Sequence, residues 1–109
     1  MIAITWMGGI LMRLDMNTAS IFLQRLISTA SAGSDTAAYD LGVAYSTGTA
    51  GADYDLIEAH KWFNLAAAWG HEGAPGARTE IAEDMTAREI ATAQRAARDV
   101  LGALHRRAA

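Results

Sequence analysis

The chain has no cysteine and a single proline among its 109 residues. Without cysteine there is no disulfide, no thiolate metal centre and no thiol nucleophile. With one proline, almost all of the backbone is free to be helical. Excess positive charge is also lacking. Nine Lys and Arg stand against twelve Asp and Glu, a formal net charge of −3, so no basic face points to nucleic acid. The apolar run Met1–Met12 is shorter than the roughly 20 residues of a bilayer-spanning helix, and it lacks the basic start of a secretory signal. Period-two alternation is missing, as are the Asn-Gly and Asp-Gly pairs that mark tight hairpins.

What is present is alanine at helical spacing. Hydrophobic residues make up 51 % of the chain, but much of that is alanine, which favours helix and close approach while burying little area. A first helix is predicted over Thr18–Ser31, capped by Asn17 or Thr18, with Phe22, Leu23, Leu26, Ile27 and Ala30 as its apolar stripe. Gly33 stops it, and Ser34 or Asp35 caps a second helix running to Ser46. A third starts at Asp55 in a capping-box pattern with Glu58 and ends at Gly70. A fourth spans Ala74–Asp84 with Pro75 in its first turn. The last follows the capping box Thr86–Glu89, with Ile90, Ala93, Ala97, Val100, Leu101 and Leu104 on one face. On its outer face Arg95 and Asp99 are spaced to pair. The expectation is an all-α domain of four to five helices over residues 17–109. The apolar arm, residues 1–16, is expected to be poorly ordered, and Met12 and Met16 are alternative starts.

The centre of the chain carries a pattern. Ala37, Leu41, Gly42, Tyr45 and Gly48 are followed by Asp55, Ala59, Trp62, Phe63, Ala66, Ala67, Gly70 and Ala74. Gly42 falls inside a helix, where glycine costs about 1 kcal/mol relative to alanine, so a neighbour pressed against its backbone is expected. This stretch resembles a Sel-like repeat, a relative of the tetratricopeptide repeat. The resemblance covers one complete repeat, residues 37–74. Flanking segments read as degenerate halves of neighbouring repeats, with Arg78 where a leucine belongs. Residues 86–107 are similar to the family's carboxy-terminal cap. The resemblance implies a short α/α solenoid of antiparallel helix pairs, a non-catalytic adaptor role, no cofactor, and a protein or peptide partner held in the helical groove. One repeat with two fragments falls short of the three units such stacks usually need, so self-association into a homo-oligomer is the alternative role.

The residue types of catalytic and metal sites are present but scattered. His60, His71 and His105 are the histidines, and the first two are about 16 Å apart along a regular helix, too far for a shared metal. His60 is expected on the outer face. Asp53, Asp55 and Glu58 lack the alternation of a calcium loop. Glu80, Glu83 and Asp84 read as a solvated face. No phosphate-binding loop or nucleophile elbow is present. The chain is therefore expected not to be an enzyme, and an unrecognised site is the remote alternative.

Candidate contact residues are Tyr39, Asp40, Val43 and Thr47, assigned to the face of the second helix away from the third, and Trp69, next to Gly70. The apolar three also have a packing explanation: Tyr39 and Val43 against the first helix, and Trp69 under the apolar arm or against that helix. A cytoplasmic location is the default. The periplasmic alternative rests on Ile21–Ile27 followed by Ala30-Ser31-Ala32, an apolar stretch broken by Gln24 and Arg25.

Overall fold

A computed structural model describes residues 20–108. The arm and the expected cap of the first helix lie outside them. The described residues form five α-helices and no strand: α1 over 20–31, α2 Asp35–Thr47, α3 Leu56–Ala68, α4 Ala74–Ala82 and α5 Ala87–Ala108. The all-α expectation holds.

Local chemistry sets the boundaries. The Ser34 side chain accepts a hydrogen bond from the Ala37 N–H and caps α2. Asp55 caps α3 by accepting from the Ile57 and Glu58 N–H groups, at 3.0 and 3.1 Å. The expected box at α3 is only half made. The Glu58 carboxylate turns instead to the Trp62 Nε1–H and the Lys61 ammonium, while the Asp55 N–H donates to the Tyr45 carbonyl. The box at α5 is complete: the Thr86 N–H donates to Glu89 Oε1, and the Glu89 N–H donates to Thr86 Oγ1. α4 stops at Ala82, short of the expected Asp84, because Glu83, Asp84 and Met85 donate three residues back in tighter turns. Arg95 and Asp99 are both exposed, and among the described residues the ion pair that forms is Lys61–Glu58, at 2.8 Å.

α3 is the centre of the assembly, packing against α2, α4 and α5. Contacts between α2 and α3 run in opposite order along the two helices. Gly48 lies against Tyr54, Tyr45 bonds Asp55, Gly42 meets Phe63, and Tyr39 reaches Phe63 and His71. The pair is therefore an antiparallel hairpin. Phe63, Leu41 and Leu65 are the largest fully buried side chains, and Leu41 and Leu65 cluster with Ala30, Ala37, Ala38, Trp62, Ala66, Ala74 and Ala97. Leu65, absent from the sequence pattern, is as central as Leu41. Leu23, Leu26 and Ile27 bring α1 onto the same core, and Val100 and Leu101 bring α5.

Candidate protein-contact surface

The hairpin's geometry begins at Gly42. A Cβ there would stand 2.4 to 2.8 Å from three ring carbons of Phe63, closer than any side chain tolerates. The missing side chain lets the aromatic ring lie on the α2 backbone. Phe63 is itself tilted against Tyr39, with ring centroids 5.4 Å apart, and Tyr39 stacks on His71 at 4.1 Å and 7°. The imidazole is held for this stack because its Nδ1 accepts the Gly73 N–H at 3.1 Å. Tyr39 therefore does not face away from α3, as expected from its spacing. It is an interhelix wedge that ties α2 to the α3–α4 turn.

The other candidates fall differently. Asp40 and Val43 are exposed. Thr47 is exposed too, but its hydroxyl bonds the Val43 carbonyl at 2.7 Å and Thr49 Oγ1 at 2.8 Å. Trp69 is half-buried and packs against the core, so its indole is not an open anchor. Trp62 is buried, donates to Glu58 Oε2 at 3.2 Å and carries the Lys61 ammonium 4.6 Å from its ring centroid.

His60 corrects the sequence reading most sharply. It is not on the outer face but 3 % exposed, and its Nδ1 has no hydrogen-bond partner. Burial holds its basicity below the ordinary histidine value of 6.5, and the Arg78 guanidinium acts in the same direction. Arg78 reaches α3 through a 2.7 Å hydrogen bond to Asn64 Oδ1. The residue that breaks the leucine pattern thus supplies a polar tie between α3 and α4. Tyr45 is shifted the opposite way. Burial raises its pKa above the usual phenol value, helped by Glu58, Asp55 and Asp53, so its hydroxyl stays neutral. Among the described residues, no three His, Asp or Glu side chains gather as metal ligands.

A surface feature that the spacing did not reveal lies between α1 and α2. Phe22, Arg25, Leu26 and Thr29 from one face of α1, with Ser34, Thr36, Ala37 and Asp40 from the turn and α2, line an open groove of about 410 Å³. Phe22 is 52 % exposed and its neighbour Ile21 51 %. Val43, one turn beyond Asp40, is also exposed. The signal was in the first helix: its apolar residues outnumber those one helix stripe can bury. No helix among the described residues is long and apolar enough to cross a membrane. No family model, curated protein or solved structure matches the chain.

Proposed function

We propose that this chain is a non-catalytic adaptor of the Sel-like repeat type that works by holding another protein chain against α1 and α2. The observation that carries this reading is the groove on those helices, whose apolar lining is Phe22, Leu26 and Ala37, with Phe22 about half exposed. Exposed apolar clusters of this kind mark contact surfaces.

The repeat assignment draws support from a recurring turn. Gly33 and Gly70, 37 positions apart, both hold positive φ, 107° and 95°. Each follows a helix end closed by a hydrogen bond from the next residue to a carbonyl five back, Ser34 to Thr29 and His71 to Ala66. Four residues after each glycine comes a buried alanine, Ala37 and Ala74. A unit that repeats turn and core position at this spacing suits a stacked helix-pair protein.

The test is affinity capture with the full chain and with Phe22→Asp/Val43→Asp, both checked for helicity by circular dichroism. A stoichiometric partner held by the native chain and lost by the folded variant fits the proposal. Equal capture by both would remove it. The homo-oligomeric alternative is favoured by one feature, the charges lining the groove.

A further inference from the structure

We propose that the chain occupying the α1–α2 groove is a second copy of this protein, packed about a two-fold axis. The proposal rests on the reading of this face as a contact surface and names the partner. Arg25 on α1 and Asp40 on α2 both line the groove, and among the described residues neither has an ion-pair partner. An isologous contact repeats each interaction twice. It sets Arg25 of each copy against Asp40 of the other and brings the two exposed Phe22 rings into the joint apolar space. The groove thus carries both halves of its own complement.

The outer face of α5 argues for closure rather than a filament. α5 buries Ala93 and Ala97 but turns Arg88, Arg95, Arg98 and Asp99 to solvent. Such a charged face is what a terminal cap presents, and it offers no seat for the apolar edge formed by Ile21 and Phe22. A head-to-tail contact would bury that charge without partners. Pairing through the two α1–α2 ends covers the apolar face and leaves the charged one in water. It also joins two short stacks into one of the length that helix-pair arrays usually require.

The experiment is sedimentation velocity of the full chain across a wide concentration range, with Arg25→Asp, Asp40→Arg and their equimolar mixture. Both positions are on the surface, so each variant is expected to keep native helicity. Each single variant sets like charges together twice and is expected to weaken self-association about tenfold or more. In the mixture both charge pairs are re-formed between unlike copies, so a heterodimer of near-native affinity is expected. A native chain that stays monomeric at every concentration overturns the proposal. So does a dimer that neither variant weakens, or a mixture that fails to associate. Monomeric behaviour combined with partner capture abolished by Phe22→Asp/Val43→Asp would remove the pairing and leave the contact-surface reading standing.

Discussion

The α2–α3 hairpin and α4 are neighbours built by opposite means. Both hairpin helices are capped by side chains, and they bury five and six residues respectively. α4 starts at Gly73 without a side-chain cap and buries only Ala74. Pro75 in its first turn and the Arg78–Asn64 hydrogen bond hold it instead. One region is fixed by its interior and the other by its attachments. The hairpin is therefore the rigid platform that carries one wall of the α1–α2 groove, and α4 belongs to the part of the molecule that opens first.

The largest effect expected is at the hairpin's centre. Phe63→Ala removes the ring that lies on Gly42 and Tyr39, and should lower unfolding free energy by about 3 to 5 kcal/mol in urea titrations. A smaller loss would mean that the hairpin is held elsewhere. Next is His60, buried on α3. Its folded-state proton affinity lies below that of the unfolded chain, so the unfolded state binds more protons in acid. The stability it permits is present above pH 6.5 and declines as pH falls below that value towards the folded-state pKa. His60→Leu should flatten this decline. It should also raise stability at neutral pH by about 1 kcal/mol, since a buried unpaired nitrogen is removed. An unchanged pH profile would show that another group is responsible. Asp55→Ala removes two hydrogen bonds to the start of α3 and should cost about 1 kcal/mol. Thermal unfolding indistinguishable from the native chain would deny the cap its role.

The sequence showed the hairpin better than anything else, for physical reasons. Ser34, Asp55 and Thr86 act within a few residues of themselves, so their caps are local and readable. Gly42 announced a close approach because glycine inside a helix needs compensation. Glu58 departs from the box because two partners further along α3, Lys61 and Trp62, compete for the carboxylate that would have closed it. Tyr39 and His60 were misplaced because helical spacing gives a face but not which neighbour covers it. The α3–α4 turn, whose His71 stacks on Tyr39, arrives from later in the chain. The α1–α2 groove depends on how two helices diverge, which neither periodicity encodes. Two of its lining residues, Arg25 and Asp40, are fifteen positions apart and come to one groove only in the fold.

The hairpin is set by contact at Gly42, whereas α4 is not packed at all at Gly76. The same substitution should then have opposite signs. A Cβ at Gly76 would meet nothing within 4 Å, so Gly76→Ala should raise unfolding free energy by about 0.5 to 1 kcal/mol. Gly42→Ala drives a methyl into the Phe63 ring and should lower it by about 1 to 3 kcal/mol, despite alanine's better helix propensity. Urea unfolding of the two variants beside the native chain measures both. A rise in stability for Gly42→Ala equal to that for Gly76→Ala would contradict the packing described here.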